Sequence, residues 1–201
     1  MKVYLHVGLE GFTNSYIVAN EEAKEALIID PEKVTNKMIS QIEEGGYTLS
    51  GVLITHNHKN HVKGLTTLRK IYDIKTYAAE SEIEGEKAII LKGDGIIKIA
   101  GLDICYCSLP GHSSDSMIYK IGNMIFTGDV ITAGIIGETN TLYARMLLMR
   151  NIREKITSQQ DDVILMPGHG PPSTIGAEKK FNIDLNPKSQ MINIRGTEKV
   201  N

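Results

Sequence analysis

The chain contains few residues of the types that mark secreted or nucleic-acid-binding proteins. Its 201 residues include two cysteines and no tryptophan, and aromatic residues make up 5% of the composition. Two cysteines are too few for a disulfide framework, which excludes a disulfide-rich fold. The formal net charge is −2, so there is no overall positive charge to attract a polyanion. We therefore expect no nucleic-acid partner.

Long hydrophobic runs are also lacking. No apolar stretch approaches the roughly 18 residues of a membrane helix, and the first residues, MKVYLHVGLEG, lack the features of a signal peptide. These absences favour a cytoplasmic protein that contacts no membrane. Hydrophobic residues make up 41% and charged residues 23% of the chain, as in ordinary globular proteins. We expect one domain over residues 1–187 and a polar, loosely ordered tail over residues 188–201.

The two cysteines lie close together in the segment LDICYCSLPG. Cys105 and Cys107 are two positions apart in a predicted strand, so both side chains point to the same face. Neighbouring positions on one face of one strand are poorly placed for a disulfide. We interpret them as a buried pair of small apolar residues rather than a redox or metal site.

The pattern of apolar residues divides the chain into two halves, each with strands followed by a helix. Strands are predicted at KVYLHVG, SYIVAN, ALIIDP, SGVLI and IKTYAA, and then at AIILKGDG, IIKIAG, LDICYCSLPG, SMIYKIGN, MIFTGDV and DVILMPG. Helices are predicted at EKVTNKMISQIEEGGY, HVKGLTTLRKIY and TLYARMLLMRNIREKIT; in the last, Leu142, Met146, Met149 and Ile156 align on one apolar face. This order predicts an α/β (α+β) fold with two mixed sheets packed face to face and helices outside.

Five of the six histidines lie in three short motifs, each of which ends an apolar run. His56, His58 and His61 lie in THNHKNH, His112 in PGH and His169 in PGHG, and Asp129 ends a fourth run in TGD. A single histidine beside glycine is more often an ordinary turn residue than a ligand. Four strand ends that each carry His or Asp, however, are what a metal site at one edge of a sheet requires.

These residue types favour a catalytic rather than a structural metal site. Imidazole nitrogens bind Zn²⁺, Fe²⁺ or Mn²⁺, and His56 and His58 can approach one ion from a tight turn. His112 would complete a set of three histidines that leaves a coordination position open for water. Asp129 can bridge two ions, which leaves His61 and His169 for the second.

The motif order HxHxxH, PGH, TGD and PGHG resembles the metallo-β-lactamase superfamily, and within it the glyoxalase II-like group related to hydroxyacylglutathione hydrolases. The resemblance extends from TNSYIV through ALIIDP and GVLITHNH to PGHGPPSTIGAEKK, nearly the whole chain. It implies a four-layer αβ/βα sandwich and an enzyme that hydrolyses a small ester or thioester with a metal-bound hydroxide. It also implies one or two Zn²⁺ ions, with Fe²⁺ or Mn²⁺ as alternatives.

The family pattern can be carried over to single residues. His56, His58 and His112 match the ligands of the first metal, Asp129 matches the bridging carboxylate, and His61 and His169 match ligands of the second metal. The family motif HxHxDH has an aspartate where this chain has Asn60. Asp129 and Asn60 are therefore the candidate catalytic residues, and since Asn60 cannot act as a carboxylate base, Asp129 would share that task or turnover would be slow.

Asn60 lowers the expected affinity of the second site. It offers only a neutral carbonyl oxygen, and the adjacent Lys59 adds a positive charge nearby. Each unit of charge about 4 Å from an ion is worth on the order of a few kcal/mol before screening. We therefore predict an occupied first site and a weakened second site, with the alternative that the Asn60 amide still coordinates alongside His61 and His169.

Two other functions compete with hydrolysis. A mononuclear iron oxygenase of the persulfide dioxygenase kind shares this fold, although members of that group generally keep the aspartate that Asn60 replaces. A metal-binding protein with little or no catalysis, suggested by Asn60 and Lys59, is the other alternative.

Overall fold

The computed structural model describes residues 1–186, so the predicted tail, 188–201, lies outside the described residues. In chain order the strands are β1 (Lys2–Val7), β2 (Asn14–Asn20), β3 (Glu25–Ile29), β4 (Thr48–Leu53), β5 (Lys75–Ala78), β6 (Glu82–Ile83), β7 (Glu86–Lys87), β8 (Ile89–Ile90), β9 (Gly95–Ile99), β10 (Leu102–Ser108), β11 (Met117–Ile121), β12 (Met124–Gly128), β13 (Ile131–Thr132), β14 (Ile135–Ile136), β15 (Ile164–Pro167) and β16 (Ser173–Thr174). The helices are α1 (Asn36–Glu43), α2 (Lys59–Val62), α3 (Leu65–Ile71), α4 (Leu142–Asn151), which continues as a π-helix over Ile152–Ile156, and α5 (Ile175–Phe181).

Two six-stranded sheets form the centre of the fold, and both are mixed. The first has the order β1-β2-β3-β4-β5-β8, antiparallel from β1 to β3 and parallel from β3 to β8. The second has the order β16-β15-β12-β11-β10-β9, in which β12 and β15 are parallel and the other neighbours antiparallel. The prediction of two mixed sheets is confirmed.

Apolar side chains fill three layers and give the sandwich its four-layer form. Between the sheets lie Tyr16, Val18, Leu27 and Leu53 from the first sheet and Tyr119, Phe126 and Met166 from the second. The outer layers pack α1 and α3 on the first sheet and α4 and α5 on the second. Strand β2 shows why both faces of the first sheet are apolar: Tyr16 and Val18 face the other sheet, whereas Ile17 and Ala19 face the helices. The predicted αβ/βα sandwich is confirmed.

The predicted helix over residues 61–72 is two helices, α2 and α3, separated at Gly64. The Gly64 N–H donates to the carbonyl oxygen of Pro31 at 2.8 Å, and a Cβ at position 64 would lie 2.6 Å from the same oxygen. Only glycine allows the two backbone segments to come this close. The contact ties the histidine-bearing turn to the end of β3. No helix within residues 1–186 is long and apolar enough to span a membrane.

The predicted buried face of the helix over residues 141–157 is wrong in its first two turns. Leu142 and Met146 are 74% and 63% exposed, whereas Leu148 is fully buried. Met149 and Ile156 do pack against the second sheet, as the pattern indicated. Apolar residues occur on all sides of this helix, so their spacing did not distinguish the buried face from the exposed one.

A π-helical stretch explains how this helix keeps one buried face. Leu148, Ile152 and Ile156 are spaced by four residues and are all fully buried. Residues four apart drift around an ordinary α-helix of 3.6 residues per turn. The Thr157 N–H donates to the carbonyl oxygen of Ile152, five residues earlier. This hydrogen bond widens the turn and brings Ile156 back to the sheet.

The cysteine prediction is also wrong in part. Cys105 is exposed and Cys107 is only partly buried, although both lie on the same face of β10. Cys107 packs against the cluster beneath α4. Ile96, which pairs with Cys105 in the neighbouring strand, is 70% exposed, so the helix layer does not extend to this position.

The assignment of the buried helix face can be tested by a matched pair of substitutions on α4. Leu148→Ala should lower the free energy of unfolding by about 2–5 kcal/mol, because it leaves a cavity under the helix. Met146→Ala should change it by no more than about 0.5 kcal/mol. Urea unfolding followed by circular dichroism measures both. Equal losses in the two variants would contradict the assigned face.

Candidate metal centre

The six predicted metal ligands follow strands of both sheets, five of them in loops and His61 in the short helix α2. His56, His58 and His61 follow β4, His112 follows β10, Asp129 follows β12 and His169 follows β15. Two backbone hydrogen bonds join the sheets at this edge: Met117 N–H donates to Thr55 O and Asn14 N–H donates to Gly168 O, both at 2.7 Å. The turns therefore meet, and all six side chains come together.

A glycine permits the closest approach within this cluster. A Cβ at Gly168 would lie 2.4 Å from Asp129 Oδ1 and 2.6 Å from His61 Cε1. Both atoms belong to candidate ligands, so any larger residue would displace them. Gly168 of the PGHG motif thus keeps space for the ligands of two other turns.

The first ligand set consists of His56, His58, His112 and Asp129. One donor atom from each lies within 4.8 Å of all the others. His58 Nδ1 is 2.8 Å from His56 Nε2 and 3.2 Å from His112 Nε2, and Asp129 Oδ2 is 3.8 Å and 3.9 Å from the same two nitrogens. Four ligands about 2.0–2.1 Å from a tetrahedral ion would be about 3.3 Å apart, which lies within this range.

The other nitrogens of two of these rings fix which atom faces inward. His112 Nδ1 donates to the Glu138 carbonyl at 2.9 Å. His56 Nδ1 lies 3.1 Å from Thr55 Oγ1, whose own hydroxyl donates to Asp30 at 2.6 Å, so the Thr55 oxygen accepts from His56. In the neutral form, each of these rings carries its lone pair on Nε2. Such outer hydrogen bonds orient metal-binding histidines.

The inward lone pairs test whether a metal ion fits. The Nε2 atoms of His56 and His112 both point at His58 Nδ1, and with the Asp129 carboxylate they form a group of electron-rich atoms in close contact. A proton on His58 Nδ1 can be shared with the two Nε2 lone pairs, but only a metal ion can accept a lone pair from all four ligand atoms at once. The first set therefore fits a metal ion, and His56, His58, His112 and Asp129 would hold it.

The second set is less complete. It comprises His61, Asp129 and His169, whose donor atoms also lie within 4.8 Å of one another. His61 Nε2 is buried, has no hydrogen-bond partner within residues 1–186, and lies 3.4 Å from Asp129 Oδ2. His169 is already engaged on both sides: Nδ1 lies 2.7 Å from Asp129 Oδ1, and Nε2 lies 3.1 Å from Asn60 Nδ2. Asp129 borders both sets.

Asn60 lies beside the second set but contributes a donor to it. Its Nδ2 donates to His169 Nε2 at 3.1 Å and to Thr13 Oγ1 at 3.0 Å. A carboxylate at this position could offer only acceptors. In the described arrangement Asn60 holds His169 by a hydrogen bond and presents no anionic oxygen to an ion.

Asp30 is the main support of this cluster. Its Oδ1 accepts from Thr55 N at 2.8 Å, and its Oδ2 accepts from Thr55 Oγ1 at 2.6 Å and from His61 Nδ1 at 2.9 Å. The side chain is buried, and the backbone has a φ of +50°, which few non-glycine residues adopt. Asp30 thereby fixes the ring of His61 and, through Thr55, the ring of His56.

Burial and neighbouring charges shift the pKa values of His56, in the first ligand set, and His61, in the second, in opposite directions. Burial, followed by the nearby His61, lowers the pKa of His56 to about 2, so that His56 is neutral. Burial also acts to lower the pKa of His61, but the carboxylates of Asp30 and Asp129 outweigh it and raise that pKa to about 10. Burial opposes ionisation of Asp129, yet contacts with His169 and His61 hold its pKa well below the usual range. In the absence of an ion, the second set attracts a proton.

The fold and this cluster define a class of protein, a metal-binding αβ/βα sandwich, and sequence comparison identifies the family. The family described as the metallo-beta-lactamase superfamily matches residues 8–172. The chain belongs to the metallo-β-lactamase superfamily.

Individual relatives cover most of both chains. The hydroxyacylglutathione hydrolase GloC of Haemophilus influenzae is 31% identical over 194 residues, which cover 84% of this chain and 91% of GloC. The probable metallo-hydrolase YqgX of Bacillus subtilis is 27% identical over 196 residues, covering 86% of this chain and 92% of YqgX. Among solved structures, the B3 metallo-beta-lactamase BLEG-1 superposes with a TM-score of 0.80 at 25% identity, covering 92% of this chain and all of BLEG-1.

Three residues that support the candidate ligands were not predicted from the sequence: Asp30, Thr55 and Thr13. Asp30 ends the apolar run ALIIDP in the same way that the candidate ligands end theirs, so the same signal could have identified it. Thr55 and Thr13 carry no such signal. Their contacts with His56 and His169 depend on how the two sheets meet.

The role of Asp30 predicts a large effect for a small substitution. Asp30→Asn keeps the shape and tolerates the positive φ, but its amide group would face the N–H and O–H donors that the carboxylate now accepts. It should lower the free energy of unfolding by about 1–3 kcal/mol. Urea unfolding in excess chelator measures this without a contribution from metal. The exposed Asp103→Asn is the matched control, and an equal effect in both variants would refute the assigned role.

Proposed function

We propose that the protein is a metal-dependent hydrolase of a small ester or thioester that works with one firmly held ion. Its membership of a superfamily that includes metallo-hydrolases supports metal-dependent hydrolysis in general. The observation that carries the proposal is the first ligand set, in which three imidazole nitrogens converge and Asp129 stands beside them. Three histidines and one carboxylate are suited to Zn²⁺, which we propose as the ion.

The chemistry divides between the ion and the residues around it. A divalent ion in such a set lowers the pKa of a coordinated water and polarises a carbonyl oxygen. Asp129 Oδ2 borders both ligand sets, while Oδ1 is held by His169. We assign Asp129 to orient the attacking water; because its pKa is held well below the usual range, it is a weak base, and slow turnover is expected. Asn60 has no carboxyl group, so its amide positions His169 and takes no part in proton transfer.

The ester or thioester class is supported by the relative GloC, which is named a hydroxyacylglutathione hydrolase. This chain covers 91% of GloC, so the likeness extends over nearly the whole of that protein. A small-molecule substrate without nucleic acid fits the net charge of −2. A cytoplasmic location fits the two free cysteines, of which Cys105 is exposed.

The second ligand set is proposed to bind an ion weakly because of Asn60. This residue donates an amide hydrogen towards His169 where the family aspartate would offer a carboxylate. Lys59, the first residue of α2, adds a positive charge one position away. Both features disfavour a second dication, whereas the first set retains all four of its donors.

The Asn60→Asp variant tests this difference between the sites. Wild-type protein dialysed against metal-free buffer should keep about one zinc ion per chain, and Asn60→Asp should keep about two, because it restores an anionic ligand. Inductively coupled plasma mass spectrometry gives the stoichiometry. Asn123→Asp, in the exposed turn between β11 and β12, is the control that adds the same charge away from the site. The same ion count in wild type and Asn60→Asp would contradict the role of Asn60.

A substitution in the first set tests the hydrolase function. His112→Ala should lower kcat/KM for thioester or ester hydrolysis by more than about 100-fold and should lose the retained zinc. His6→Ala is the control, because His6 lies in β1 and bonds to Gln41 at 2.7 Å. The substrate panel should include thioesters, esters, phosphodiesters and a persulfide. Full metal occupancy without turnover would favour a binding protein, and sulfite formed from a persulfide by the iron-loaded protein would favour an oxygenase.

A further inference from the structure

A hollow next to the metal centre is not explained by metal binding. It has a volume of about 290 Å³ and is lined by Glu10, Gly11, Glu32, Lys59, Asn60 and Lys63. Ligand pockets typically start near about 300 Å³, so this volume suits one arm of a small substrate rather than all of it.

The hollow shares a wall with the second ligand set. Asn60 Nδ2 and the Gly11 carbonyl oxygen both lie 3.1 Å from His169 Nε2, and both residues line the hollow. The Gly11 backbone is held in place because its N–H donates to Glu32 Oε1 at 2.7 Å. A substrate whose carbonyl is at the first ligand set can therefore extend an arm past Asn60 into the hollow.

The charges around the hollow leave one cation without a partner. Lys63 forms an ion pair with Glu10, and Lys33 lies 3.7 Å from the same carboxylate. Glu32 is buried; its Oε1 accepts from the Gly11 N–H, whereas its Oε2 has no hydrogen-bond partner among the described residues. The exposed Lys59 ammonium forms no hydrogen bond or ion pair with any residue in the described part of the chain. A single positive charge is thus available to a ligand.

We propose that this hollow binds a carboxylate carried by the substrate, with Lys59 as its counterion; the proposal rests on the proposed ester or thioester hydrolysis. One unpaired cation matches a monoanion. Glu10 and Glu32 also line the hollow and repel any anion, but their repulsion of a phosphate dianion is about twice that of a carboxylate, so the ligand of smaller charge is favoured.

Asn60 and Lys59 would both favour the binding of a substrate carboxylate in this hollow. An aspartate at position 60 would place a negative charge in the wall of the hollow and repel a substrate carboxylate. Asn60 removes that charge, and Lys59 supplies the opposite one. The two residues that weaken the binding of a second dication therefore favour the binding of an anionic substrate arm.

A pair of thioether analogues, which cannot be hydrolysed, tests this site by binding alone. The two analogues share a thioether core and differ only in a terminal carboxylate or carboxamide, and isothermal titration calorimetry with the zinc-loaded full chain gives their affinities. Wild type should bind the carboxylate about five- to tenfold more tightly, and Lys59→Ala should remove this preference while Lys59→Arg keeps it. A phosphate-bearing analogue should bind no better than the carboxylate.

Lys70→Ala is the matched control, because Lys70 is an exposed lysine of α3 and does not line the hollow. It should keep the wild-type preference. Equal affinities in wild type, no binding of either analogue, or a preference that survives Lys59→Ala would each overturn the proposal. If the preference depends on Lys59 but no ester or thioester is hydrolysed, the carboxylate site stands and the proposed function fails. If an ester or thioester is hydrolysed but wild type shows no preference for the carboxylate analogue, the proposed function stands and the carboxylate site fails.

Discussion

The convergence of inward-facing lone pairs is the constraint on which the centre of this molecule depends. Three imidazole nitrogens and a carboxylate oxygen lie within 4.8 Å of one another. They stay there because the rest of the fold holds them: apolar packing joins the two sheets, and Asp30 fixes His61 directly and His56 through Thr55. A divalent ion can accept all four of these lone pairs at once, so the same contacts that stabilise the fold prepare the site for metal.

Much of this arrangement could be predicted from the sequence. The apolar runs gave the strands, and the polar residues at their ends gave the ligands, because a strand that is buried on both faces must place its polar residues where it ends. His56 and Asp129 follow this rule after β4 and β12, whereas His112 follows β10, which is partly exposed. The order of these motifs then indicated the family, and the family model confirms it.

The features that could not be predicted depend on contacts between distant segments. Nothing local to Gly64 shows that Pro31 lies against it, and the division of one helix into α2 and α3 follows from that contact. The prediction of the buried face of α4 was wrong for another reason. Leu142 and Met146 are as apolar as Leu148, and which of them is buried depends on where the second sheet ends. Periodicity identifies a helix but not how far its partner sheet extends.

The hydrogen-bond direction at Asn60 also lies beyond the sequence, and it changes how the departure from the family pattern is understood. A neutral ligand in place of an anionic one would by itself indicate a weaker copy of a two-metal site. Asn60, however, donates to His169 and to Thr13, so it belongs to a hydrogen-bond network that holds the position in the absence of a second ion. The proposed one-ion site, with Lys59 in the adjoining hollow, would carry a different balance of charge from a two-metal site. Selection for an anionic substrate would act on that balance, and a change from aspartate to asparagine achieves it without disturbing the four donors of the first set.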